Sequence, residues 1–170
     1  MKRLLALDFG LKRIGVAVSD GLGMLAHPVE TIDATQLDKV VECVGDLLRE
    51  YETDAIIVGL PLNMDGSESA MSQRVRKFAA TLHERLGVIC TFWDERLSSA
   101  QAEWLMAEME YTKKRCKKLV DQIAARTILQ SYLEYLRIQA RKQAAADSGA
   151  VDPDAPGAQS ASSSDAADML

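Results

Sequence analysis

Apolar residues in this chain fall into short blocks whose spacing alternates between strand and helix periods. Leu4 to Leu7 form an unbroken run that ends at Asp8, and Arg13 to Ser19 (RIGVAVS) supply a second run close behind it. The link FGLK is too short for a crossover, so these two runs are predicted to pair as an antiparallel hairpin. A third short strand near Val29 to Ile32 continues the meander. Leu37, Val40, Val41, Val44, Leu47 and Leu48 then recur at steps of three and four, which predicts a helix. DAIIVGLP reads as a buried strand stopped by Gly59 and Pro61, Ala70 to Leu86 as a second helix capped by Ser67 or Ser69, and VICTFWDE as a last apolar strand. A helix starts near Ala100, and a final one runs from about Lys118 to Arg141.

Three strands in a meander, followed by helix, strand, helix, strand and two helices, predict an α/β fold with a mixed five-stranded sheet. It joins an antiparallel meander to two parallel strands and is flanked by helices. The right-handed crossover rule places the two later strands parallel to the first, on its other side.

Charge changes the picture at one end. Five of the 25 acids (Asp147, Asp152, Asp154, Asp165 and Asp168) follow Lys142 with no base among them, so residues 1–142 carry 20 acids against 20 bases and the net charge of -5 belongs to the tail. From Gln143 onward the chain is mostly Ala, Ser, Asp, Gly and Pro, which cannot bury enough surface to offset ordering; 1–142 is read as one domain and 143–170 as a disordered acidic tail. A neutral body lacks the global basic face of a protein held mainly by phosphate contacts, so nucleic-acid contacts must come from local clusters. The three cysteines, Cys43, Cys90 and Cys116, have no paired spacing and are expected to be reduced thiols of a cytoplasmic protein. The apolar run broken by Asp8 is too short for a secretory signal, and no run of 18 apolar residues exists to span a membrane.

Candidate chemistry lies in acids at the ends of elements. Ligands bind outside the carboxyl ends of parallel strands in open α/β sheets, where Asp8 and the pair Asp94 and Glu95 both stand. Neighbouring strand residues point to opposite faces, so at most one of that pair can aim the same way as Asp8. Helical steps from Asp121 reach Ala124, Ala125, Ile128, Leu129 and Tyr132, the stripe that must face the sheet, so Asp121 lies on the buried face near the start of its helix. Converging carboxylates repel one another unless a cation joins them, and hard oxygen donors favour Mg²⁺ or Mn²⁺. Taken singly, Asp8 could cap a turn, Asp121 could answer the helix dipole, and one of Asp94 and Glu95 could pair with Arg96.

The stretches LALDFGLKRIGVAVSD, IIVGLPLNMDGS, FWDERLSS and KKLVDQIAARTILQSYLE together resemble the YqgF family of bacterial proteins, also called RuvX, over about residues 3 to 136. The resemblance implies an RNase H-like fold related to RuvC resolvases. It further implies a metal-dependent nuclease of phosphodiester bonds, implicated in maturing the 5′ end of pre-16S rRNA. It assigns the acidic motif to Asp8, to the DE of DERLSS with Glu95 favoured over Asp94, and to Asp121. Family members commonly carry Thr where Leu11 stands and a small residue where Gln122 stands.

Around these acids, TKKRCKK places Lys113, Lys114, Arg115, Lys117 and Lys118 just ahead of Asp121, where they could hold a phosphate backbone; as a lone run they would be a solvated surface. Lys12 and Arg13, in the first turn, are weaker candidates of the same kind. The loop GLPLNMDGS could receive an anion on its amides, with Asn63 as a nucleic-acid contact, or Asn63 and Asp65 could be turn formers. DFG without a glycine-rich loop, VAIK or HRD excludes a protein kinase, and a body of this size cannot clasp nucleotide between two domains as actin-like ATPases do. The expected partner is nucleic acid, structured RNA or branched DNA, bound by a monomer or homodimer. The rival readings are a Holliday junction resolvase and a non-catalytic RNA-binding adaptor of ribosome assembly. Deleting residues 143–170 is expected to leave the melting temperature nearly unchanged in calorimetry; a large drop would show that the tail packs.

Overall fold

The structure, a computed structural model, describes residues 2–53, 55–94 and 117–147. The chain divides into two units, Met1–Leu136 and Arg137–Leu170. In the first, β1 (Leu5–Phe9), β2 (Arg13–Ser19) and β3 (Ala26–Asp33) are followed by α1 (Leu37–Glu50), β4 (Ala55–Leu60), α2 (Ala70–Leu86) and β5 (Ile89–Asp94). The last described helix, α3, is Lys117–Asp147. The five strands form one sheet in the order β3-β2-β1-β4-β5. β2 is antiparallel to β1 and to β3, while β4 is parallel to β1 and to β5. This is the predicted meander with two parallel strands added on the far side of β1.

Alternation along each strand sorts the sheet into two unequal faces. Leu5, Leu7, Ile14, Val16, Ile56 and Val58 pack with Val40 and Val44 of α1 and with Val75 and Leu82 of α2. The other face carries smaller residues, Ala6, Ala17 and Ala26 with Ile57 and Trp93, and is covered by Ala125, Ile128, Leu129 and Leu133 of α3. Ala6, Ala17 and Ala26 of the strands thus pack with Ala125 of the helix on that face.

Polar bonds fix α3 across the sheet. Gln130 Oε1 accepts from the Ala26 amide at 3.0 Å, and Arg126 Nε donates to the Ala26 carbonyl at 3.2 Å, so α3 side chains answer backbone groups of edge strand β3. Toward the other edge, Trp93 Nε1 donates to Ser131 Oγ at 3.2 Å, and its ring meets Tyr132 edge-on with centroids 5.2 Å apart. Trp93 and Phe92 are thus packing residues, as their strand position implies.

Two details depart from the sequence reading. The third strand is longer than Val29 to Ile32, and the last helix continues past Arg141 to Asp147. Gln143–Asp147 fall within this helix, where Ala144, Ala145 and Ala146 are strong helix formers; residues 148–170, like the helix expected from Ala100, lie outside the described residues. Cys43 and Cys90 are free thiols, Cys90 pushed up by burial to about 11, so it stays protonated near neutral pH. Among the described residues, no helix is long and apolar enough to cross a membrane.

Helix α2 starts at a reciprocal cap: Ser69 Oγ accepts from the Ser72 amide at 3.0 Å while Ser72 Oγ accepts from the Ser69 amide at 2.9 Å. Ser69 Oγ also donates to the Pro61 carbonyl at 2.8 Å, closing the loop between β4 and α2. Ser69→Ala should cost about 1–2 kcal/mol in urea unfolding, the upper part of the usual capping range, because it removes both bonds.

Candidate active site

Asp8 follows Ala6 onto the α3 face of the sheet, one position short of the carboxyl end of β1. Across the β1–β2 pairing its register partner is Gly15. A methyl group built on Gly15 would sit 1.9 Å from the backbone carbonyl oxygen of Asp121, so α3 touches the sheet at this point and only glycine permits it. Asp8 and Asp121 therefore flank the same residue on the same face. Of the four acids named from sequence, Asp8 and Asp121 thus both neighbour Gly15.

Arg13, two residues before Gly15 and on the same face, places Nε 2.5 Å from Oδ2 of Asp121. The pair is half-sheltered, with side-chain exposures of 33% and 22%. A partly solvated pair of this kind contributes on the order of 1 kcal/mol at most, so its weight lies in how it engages the Asp121 carboxylate rather than in stability. Arg13 was expected as a phosphate contact. In this structure its partner is an acid of the site.

Asp94 takes the other direction. Cys90 and Phe92 pack against α2, Trp93 faces α3, and Asp94 continues the alternation onto the α1/α2 face, away from Asp8. Glu95, Lys113, Lys114 and Arg115 lie outside the described residues; Lys117 and Lys118 stand in the first described turn of α3, with Lys117 four residues before Asp121. Among the described residues no three His, Cys, Asp or Glu side chains gather as a metal site.

The β4–α2 loop leaves the carboxyl end of β4, next to that of β1. It is knit internally. Asn63 Nδ2 donates to Ser67 Oγ at 2.9 Å, Asp65 Oδ1 accepts from the Ser67 amide at 2.9 Å, and Gly66 holds a φ of 86°. Asn63 and Asp65 act as turn formers, and the tip of the loop presents Met64 to solvent. Lys12 is exposed in the β1–β2 turn, its carbonyl accepting from the Ala34 amide at 3.0 Å.

Sequence reasoning missed Gly15 as a contact point and Arg13 as a partner of Asp121. The signal was present: Ala6, Gly15, Ala17 and Ala125 are all small, and in two strands and one helix they fall on the facing sides.

A meander extended by two parallel strands and flanked by helices is an RNase H-like fold. Thermus thermophilus RuvC in complex with a Holliday junction superposes with a TM-score of 0.56 at 14% identity, over 82% of this chain and 97% of that one. A second RuvC structure from Thermus thermophilus gives 0.53 at 15% identity, over 81% and 96%. At these identities the likeness concerns the fold. Within that class, the family model described as "RuvX: Holliday junction resolvase" matches residues 2–135. A protein of Myxococcus xanthus named "Putative pre-16S rRNA nuclease" is 43% identical over 132 residues, 78% of this chain and 87% of its own length. A protein of the same name from Halothermothrix orenii is 41% identical over 133 residues, 78% of this chain and 95% of its own. The chain belongs to the RuvX family.

Gly15→Ala should destabilise the protein by about 1–3 kcal/mol in urea unfolding, since α3 must back away from the sheet. Gly21→Ala, where an added methyl meets nothing within 4 Å, should leave the midpoint nearly unchanged.

Proposed function

We propose that this protein is a metal-dependent nuclease that hydrolyses phosphodiester bonds in structured RNA, acting in the 5′-end processing of pre-16S rRNA in the cytoplasm. The observation that carries this reading is the placement of Asp8 and Asp121 on one face around Gly15. Carboxylate oxygens are the donors a hard divalent cation prefers, and the absence of a side chain at Gly15 lets the Asp121 backbone come down beside the strand residue paired with Asp8, so the donor set present suits Mg²⁺ or Mn²⁺. Asp8 and Asp121 would hold the ion, and with Asp94 turned to the opposite face we assign the third acid to Glu95. When bound, such ions lower the pKa of a water and stabilise the leaving oxygen of the phosphodiester.

The remaining tasks fall to the chain. The packing of α3 on β2 holds the acids in place before substrate arrives, which supplies much of the orientation such a reaction needs. Lys12 and the run Lys113, Lys114, Arg115, Lys117 and Lys118 serve as backbone contacts on either side of the scissile bond, compensating locally for a body of zero net charge. A Holliday junction resolvase is the second reading, favoured by the description of the family; two cuts in one junction would require a homodimer, whereas trimming a precursor RNA is open to a monomer.

The test is cleavage of an RNA carrying the 5′ precursor segment of 16S rRNA, beside a four-way DNA junction, with and without Mn²⁺. Asp8→Asn and Asp121→Asn should each lower Mn²⁺-dependent RNA cleavage by about 100-fold or more, the scale seen when one preorganised charge-stabilising group is lost, with unchanged melting temperatures. Cleavage that survives both substitutions contradicts the assignment, and preference for the DNA junction would favour the second reading.

A further inference from the structure

Asp121 is held in two independent ways. Its backbone is fixed by the seat of α3 on Gly15 and by the bonds of Arg126, Gln130 and Ser131 farther along the helix. Its carboxylate is engaged separately, by Arg13 Nε at Oδ2. Since helix packing already sets where Asp121 stands, the ion pair is not needed to bring the acid to the site. What the guanidinium does is take up a carboxylate oxygen that a divalent cation would use, and place a positive charge beside it.

We propose that Arg13 competes with the divalent cation for Asp121 and is drawn away by a phosphate of the nucleic acid, so that metal and substrate bind cooperatively. The inference rests on the metal-dependent reading given above. A guanidinium and a cation on one carboxylate repel each other, so in the absence of nucleic acid Arg13 weakens metal binding. A phosphodiester oxygen offers the planar N–H fork an alternative anion of matching geometry. Arg13 lies at the start of β2, beside the exposed turn that carries Lys12, and one third of its side chain is solvent-accessible, so a backbone bound over the acids is within its reach. Linkage then runs both ways: substrate raises metal affinity by the factor by which metal raises substrate affinity. The device restricts the assembled centre to the moment when substrate is present.

Two simpler roles give different results. If Arg13 merely braced the Asp121 carboxylate, removing it would weaken metal binding. A residue that only held phosphate would leave metal binding without nucleic acid unchanged on substitution. The experiment is Mn²⁺ titration of the full chain, followed by calorimetry and by the Mn²⁺ electron paramagnetic resonance signal, with and without an RNA hairpin carrying non-cleavable phosphorothioate linkages. Arg13→Gln should bind Mn²⁺ about 10-fold more tightly than the unsubstituted protein without RNA, within the usual range of coupling between sites. The gain in Mn²⁺ affinity on adding RNA should shrink by a similar factor. Arg13→Lys, which keeps the charge and loses the fork, should fall between the two, and its measured affinity also guards against a folding defect peculiar to Gln. Equal or weaker Mn²⁺ binding by Arg13→Gln, with the unsubstituted protein binding normally, overturns the competition alone. Absence of Mn²⁺ binding by every form, with or without RNA, overturns the metal-dependent reading and this inference together.

Discussion

The backbone of α3 rests on β2 at Gly15, so near that a methyl group there would lie 1.9 Å from the Asp121 carbonyl oxygen. This contact ties the helix to the sheet at the one register position that faces Asp8. Carboxylates repel, and two of them are not brought side by side by mutual attraction. Burial of Ala125, Ile128, Leu129 and Leu133 against Ala6, Ala17, Ile57 and Trp93 supplies the driving force instead. The acids are carried along by an interface that is apolar over most of its length and polar at one end.

The asymmetry between the two faces of the sheet follows from the same requirement. On the α1/α2 side, leucines, isoleucines and valines build the larger core. On the α3 side the strands offer alanine and glycine, and at Gly15 the helix backbone meets the strand directly. Stability is concentrated on one face and the candidate site lies at the margin of the other. Arg13 belongs to that margin: it satisfies Asp121 within the protein, yet it is exposed enough to meet a ligand.

The sheet was legible in the sequence because its strands are short apolar runs with unambiguous stops, and because FGLK leaves no room for anything but a hairpin. The acids were legible by position, Asp8 at a strand end and Asp121 on the apolar stripe of a helix. Two things were not. The bond from Arg13 to Asp121 spans 108 residues, and no local periodicity encodes which side chain a strand residue will meet on a distant helix. The meaning of Gly15 was hidden for a related reason: within RIGVAVS it reads as an ordinary small strand residue, and its necessity appears only when the Asp121 backbone is seen against it. Asp94 and Glu95 illustrate the opposite case, where strand alternation by itself predicted that one must face away, and Asp94 does. The end of the last helix is hard to place from sequence because Ala144 to Ala146 carry no apolar period, yet alanine extends a helix readily.

Asp8 and Asp121 can serve the proposed chemistry only if their carboxylates hold a divalent cation between them. Crystals of the protein soaked in Mn²⁺ and measured at the manganese absorption edge address this directly. An anomalous peak is expected on the α3 face at about 2.0–2.2 Å from carboxylate oxygens of both Asp8 and Asp121, within the distances usual for small hard divalent ions. A map with no peak there, or with manganese bound only at acids elsewhere on the surface, would contradict the proposed chemistry.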